Sequence, residues 1–163
     1  MIALKAEDVK TFTSKLFLKE DFDSFLVKEV NIVTYNNFTI DGHIRQGYYT
    51  DEELEENRIE DFSSWKVLKP LCFSLIKGKK LPGSFHIVLS LAPGDVEKFA
   101  SSLGTGIDGS QIQGLYLNIR YEDGALYCIT GTSLNFFTLD KTLETEWDNA
   151  VKDFMRSHEI VCT

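Results

Sequence analysis

Gly114-Leu115-Tyr116-Leu117-Asn118-Ile119-Arg120-Tyr121-Glu122-Asp123-Gly124-Ala125-Leu126-Tyr127-Cys128-Ile129-Thr130 carries the clearest structural signal in the chain. Leu115, Leu117, Ile119 and Tyr121 alternate with Tyr116, Asn118 and Arg120, the period of two expected of a half-buried strand. Asp123-Gly124 follows, and a type I′ hairpin turn wants positive φ at both central residues, which this pair accepts readily. A two-residue turn then sets the register. Tyr121 faces Leu126, Ile119 faces Cys128 and Leu117 faces Thr130 on one side, with Arg120–Tyr127 and Asn118–Ile129 on the other. One face is drier than the other, so the segment predicts a hairpin within an antiparallel sheet.

Outward from that hairpin, strands alternate with amphipathic helices. Residues 2–4 read as a short strand, and residues 7–17 as a helix with Val9, Phe12, Leu16 and Phe17 inward. Residues 25–35 are rich in β-branched side chains, and residues 38–44 return after a turn at Asn36-Asn37. Residues 51–61 hold seven acids against Arg58 alone and are expected to form a solvated loop. Helical spacing begins at Phe62 and runs through Trp65, Leu68, Cys72, Leu75 and Ile76. Pro70 inside it predicts a kink or a later start. The run 85–92 reads as a strand and 93–103 as a helix with Pro93 at its first position. Residues 133–138 are expected to add a third strand, Asp140 to cap a last helix over Leu143, Trp147, Ala150, Val151 and Phe154, and residues 160–162 to rejoin the sheet or fray.

Two halves, 1–80 and 84–158, share a plan within a single domain. Leu4, Asp8-Val9, Phe12, Ser14 and Leu16 map onto Leu91, Asp95-Val96, Phe99, Ser101 and Leu103 at a constant offset of 87 residues. Each half runs strand, helix, strand pair, helix, with Trp65 and Trp147 opening the late helices as core anchors. The expectation is an α+β fold: an antiparallel sheet with helices packed on one face, in two strand–helix–hairpin–helix repeats.

The chain has 163 residues, enough to bury a core without a metal or disulfide staple. Seventeen Lys and Arg against twenty-five Asp and Glu leave a formal charge of −8, which argues against coating nucleic acid, since duplex binding relies on basic charge. Cys72, Cys128 and Cys162 are an odd number in apolar runs, the pattern of reduced thiols in a cytoplasmic protein. No run approaches a membrane span, so no membrane association is expected.

No motif commits the chain to a chemistry. Gly104-x-Gly106-x-x-Gly109 has dinucleotide-fingerprint spacing but the wrong order, with a helix before it and a strand after it. The histidines are scattered, and no metal or cofactor is expected. Three groups remain. Lys77, Lys79 and Lys80 are a candidate contact for an anion or for an acidic segment of a neighbouring molecule, although cations suit a helix C-terminus in any case. Asp41 and His43 are a candidate acid–base pair, and with Tyr35 a candidate pocket between sheet and helices, to which Tyr116 and Tyr127 would add aromatic walls.

Two resemblances add to this reading. Trp65-Lys66, Leu68-Lys69-Pro70, Phe73-Ser74-Leu75-Ile76-Lys77-Gly78-Lys79, Leu117-Asn118-Ile119-Arg120-Tyr121-Glu122-Asp123-Gly124 and Thr130-Gly131-Thr132-Ser133-Leu134 resemble a family of small uncharacterised proteins from Clostridia-type bacteria. Ile112-Gln113-Gly114-Leu115-Tyr116-Leu117 with Glu122-Asp123-Gly124-Ala125-Leu126 and Thr130-Gly131-Thr132 is similar to a hairpin of bacterial DNA sliding clamps. That likeness implies a duplicated strand–helix–sheet unit, with the outer faces of the two repeat helices (Lys10, Ser14, Lys15 and Lys98, Ser101, Ser102) toward DNA. The leading expectation is a non-enzymatic cytoplasmic domain that contacts another protein or a second copy of itself. The rivals are a small-molecule binder or enzyme using a pocket between sheet and helices, and a DNA-associated protein.

Overall fold

Asp123 and Gly124 hold φ of 52° and 77°, the left-handed values a I′ turn requires, and the strands on either side pair in the expected register. A computed structural model describes residues 1–104 and 106–163. Around the hairpin it places β1 (Ala3–Lys5), β2 (Leu26–Val33), β3 (Asn37–Asp41), β4 (Ser84–Ser90), β5 (Ile112–Glu122) and β6 (Ala125–Leu134). They form one six-stranded antiparallel sheet in the order β1-β6-β5-β4-β2-β3. The C-terminus extends it outside β1, where Lys5 and Thr163 exchange backbone hydrogen bonds of 2.9 Å each way.

The helices are α1 (Val9–Phe17), α2 (Asp51–Glu56), α3 (Trp65–Ile76), α4 (Pro93–Leu103) and α5 (Thr142–Ser157). α1, α3, α4 and α5 bury their apolar stripes in a single core against one face of the sheet. Trp65 is fully buried and donates Nε1–H to the Leu16 carbonyl at 2.7 Å, locking α3 to α1. Trp147 does the same for α5 and β5, donating to the Tyr116 carbonyl at 3.1 Å. Both tryptophans are core anchors with their polar atoms bonded, as buried indoles need to be. The order strand, helix, strand pair, helix occurs in both halves, with α2 added ahead of α3 in the first. Within the sheet the halves take unequal places, because β4 lies between β2 and β5 whereas β1 lies beside β6.

Several local expectations are corrected. Residues 51–61 are not loop throughout: Thr50 and Glu53 form a capping box that starts α2, whose side chains are all exposed except the half-buried Leu54. Residues 133–138 add no third strand; β6 runs on past Gly131 to Leu134. α3 begins at Trp65 and passes through Pro70. Pro70 and Lys66 are both exposed, so the carbonyl that loses its helical partner meets water. The N-cap position of α5 is Lys141 rather than Asp140, and the Asp140 carboxylate accepts from the Thr142 amide at 3.0 Å from one residue further back.

Candidate functional site

The two ends of the sheet differ in what they expose. At one end, β2 leaves at Val33, β4 enters at Ser84, and the hairpin turns at Asp123-Gly124. Here α1 and α3 diverge around an open apolar groove of about 540 Å³. Phe17, Phe73, Ile76, Phe85 and Tyr121 form its floor and walls, and Leu81 and Pro82 form one lip. Leu81 is 84% exposed and Leu18, on the opposite lip, 60% exposed. The loop that joins Ile76 to Leu81 carries Lys77, Lys79 and Lys80, all exposed, and Lys10 of α1 lines the groove directly. Among the described residues none of these four lysines has a carboxylate within ion-pair distance. The three predicted lysines thus lie in a loop that joins two residues of an apolar groove, a surface that no local sequence pattern announces. Lys15, expected on the same helix face as Lys10, lies 3.7 Å from Asp21 instead.

At the opposite end, the segment from Gly42 to Ser64 leaves the sheet and returns. It is pinned at its base by bridges of His43 to Phe62 and of Leu26 to Ser64. Gly42 is required there, since a Cβ would come within 1.8 Å of the Val27 carbonyl oxygen. The excursion carries α2 and the exposed Tyr48. A cleft of about 740 Å³ lies between this segment, α4 and the 3-10 turn Gly109–Gln111. Two register shifts flank the cleft, one between Val27 and Glu29 and one between Ile112 and Gly114. The extra residues are Lys28 and Gln113, and both line it. A bulge re-aims a side chain that regular pleating would place elsewhere. Lys28 Nζ sits 3.8 Å from the centroid of the Phe62 ring, and Glu60, Asp61 and Glu97 stand around it.

The candidate acid–base pair is not brought together as expected. Asp41 Oδ1 accepts a 2.9 Å bond from the backbone N–H of His43, while the His43 ring packs edge-on against Phe62 at 5.0 Å. Tyr35 lies at the far tip of the β2–β3 hairpin, 82% exposed and edge-on to Phe38. Strand rise alone separates it from Asp41 by roughly 15–20 Å. Tyr116 and Tyr127 share the sheet face opposite the helices, with Asn118 and Arg120. The five residues therefore line no common pocket.

Of the thiols, Cys72 and Cys128 are buried and Cys162 is partly so. Burial pushes Cys72 up to about 12 and raises Cys128 as well, so both are protonated at neutral pH and poor nucleophiles. Gly104 ends α4 in a left-handed cap, and β5 follows, an order unsuited to phosphate at a helix N-terminus. Thr105, within that glycine pattern, lies outside the described residues. Among the described residues no helix is long and apolar enough to cross a membrane, and no three His, Cys, Asp or Glu side chains are grouped to hold a metal ion.

Comparison with curated proteins finds no match, and neither does comparison with solved structures. A family model does match, over residues 15–162, from α1 to the C-terminal edge of the sheet. Its description is a family of unknown function, DUF5721, and this chain belongs to that family.

Proposed function

We propose that the chain is a non-enzymatic interaction domain that works in the cytoplasm by contact with another protein. The observation that carries this reading is the groove between α1 and α3, an uncovered apolar floor with Lys10 in its lining and three exposed lysines in the loop that runs from Ile76 to Leu81 beside it. Contact sites are built in this way. The apolar centre supplies burial, and the charged rim orients and selects the partner. On a chain of formal charge −8, one lysine in the groove and three in the adjoining loop are a local departure that steers toward acidic partners. A clamp-like kinship is part of the proposal at a coarser level, supported by the element order that repeats across the two halves.

The test is affinity capture from a lysate of the protein's own cells, with wild type and with Leu81→Asp as baits. Leu81 is exposed, so the substitution leaves the core untouched. Wild type is expected to retain partners that the variant loses. Identical retention by the two baits overturns the reading.

One observation favours a second reading, a small-molecule binder. Two β-bulges converge on the cleft at the other end of the sheet and direct Lys28 and Gln113 into it. A metabolite screen by thermal shift tests it. The ligand must raise the melting temperature of wild type and leave that of Lys28→Ala unmoved.

A further inference from the structure

We infer that the groove takes the acidic segment of a second copy of this chain, so that copies join head to tail. This rests on the interaction-domain reading above and names its partner. The groove is apolar, Lys10 is part of its lining, and the exposed Lys77, Lys79 and Lys80 sit in the loop between Ile76 and Leu81, both of which line it. The matching surface is on the same molecule. Residues 51–61 carry seven acids against Arg58, and α2 buries none of its side chains. Just ahead of α2 stands Tyr48, 75% exposed, its ring edge-on to Tyr49 at 4.9 Å. An aromatic side chain followed by a run of carboxylates is the complement of an apolar groove with lysines in and beside it. The ring fills the floor, and the acids meet the lysines.

The two surfaces cannot meet within one chain. The groove lies where β2 ends at Val33, beside Gly83 and Ser84. The acidic excursion leaves where β2 begins, with Ser63 bonded to Gly42 at 2.9 Å and Val27 bonded to Ser63 at 2.8 Å. The length of β2, roughly 20–25 Å at the rise of a strand, stands between them. Because unlike surfaces pair, the contact is heterologous, and each molecule added leaves one groove and one acidic segment free at the ends of the assembly. Such a contact builds open chains unless the rotation per step closes a ring.

Sedimentation velocity over a range of chain concentrations and salt tests the inference. Wild type is expected to pass beyond dimer as concentration rises. Its association should weaken by about tenfold or more between low and high salt, because the paired charges are screened. Two charge-reversed variants follow. K77E/K79E/K80E opposes acid to acid and E52K/E55K/E56K opposes base to base, so each alone should sediment as monomer. Mixed in equal amounts, the two regain complementary pairs in both directions and should associate again. Tyr48→Ser should weaken wild-type association without changing its salt dependence.

Monomeric wild type at every concentration overturns the inference. So does association that survives either reversal, or a mixture that stays monomeric. If wild type is monomeric yet still retains a different protein in the Leu81-dependent capture, the self-docking inference falls and the interaction-domain reading stands. If capture also fails, both fall.

Discussion

Two neighbouring rows of side chains cross all six strands, one on each face of the sheet. On the helix-covered face, Ile40, Val30, Ile87, Ile119, Cys128 and Leu4 stand side by side from β3 to β1. One residue away along every strand, the open face carries Thr39, Asn31, His86, Arg120, Tyr127 and Lys5 in the same order. The first row is buried at five of its six positions, Ile40 on the edge strand being the exception. The second is exposed at Thr39, Arg120 and Lys5 and half-buried at the rest. A slip of one residue in a strand would exchange its faces, and in β5 or β4 it would put Arg120 or His86 into the core. The contrast between the rows fixes the register and separates what holds the fold together from what meets solvent.

Substituting two adjacent residues is the sharpest way to break that contrast. Ile119→Ala removes a fully buried side chain from the centre of the sheet and should cost about 2–5 kcal/mol, the lost transfer energy plus the cavity left behind. Arg120→Ala, one residue on, should stay within about 0.5 kcal/mol, as exposed substitutions usually do. Urea denaturation of the two variants beside wild type reads both values. Comparable losses at the two positions would mean that the open face is covered in solution.

That contrast was legible in the sequence because it is local. Alternation, a two-residue turn and one strand partner settle the register of β5 and β6 with no knowledge of the remaining chain. The bounds of α4 were legible for the same reason, with Pro93 at its start and Gly104 after its end. α2 was also within reach. Thr50 followed by Glu53 is a capping-box signature, masked by the density of like charge around it. The groove was not legible in this way. Phe17, Phe73, Leu81 and Tyr121 come from four separate elements, and no periodicity within one element reports on the gap between them. The bulges at Lys28 and Gln113 are equally silent, since an extra residue in a ladder is defined only by its partner strand. Asp41 and His43 mislead for a related reason. Residues two apart on a strand share a face, but here the carboxylate turns back to the His43 amide.

Thr130 is the polar exception on the covered face, only 1% exposed. Its hydroxyl donates to Asp148 Oδ1 at 2.5 Å and accepts from the Ile2 amide at 2.9 Å, tying β6 to α5 and to the N-terminal strand. Thr130→Val keeps the shape and removes both bonds. The Ile2 amide and one Asp148 oxygen then lack a partner in a poorly solvated place, at a cost of about 1–3 kcal/mol. A shift of the urea midpoint without a change in slope is the expected result. A neutral outcome would imply that water replaces the hydroxyl, and so that the dry region stops short of β6.

The smallest expected effect tests the open row at its centre. His86 lies between Asn31 and Arg120 on the neighbouring strands, and its Nε2 is buried without a hydrogen-bond partner among the described residues. Desolvation holds the imidazole below its ordinary value of 6.5, and the charge of Arg120 adds to the effect, while a hydrogen bond to the Asn118 side chain and the charge of Glu29 act the other way. A histidine whose affinity for protons is weaker in the folded chain favours unfolding once the unfolded chain begins to bind them. The stability it contributes is therefore complete above 6.5 and lost as pH falls through the lower folded value. His86→Gln removes that titration and leaves His43 and His158 in place. Wild type should lose stability relative to the variant as the solution is taken from neutral to mildly acidic pH, read as a narrowing or reversal of the difference between their urea midpoints. A difference that stays constant with pH would mean that His86 protonates as freely in the folded chain as in the unfolded one. The middle of the open row would then be as wet as its two ends.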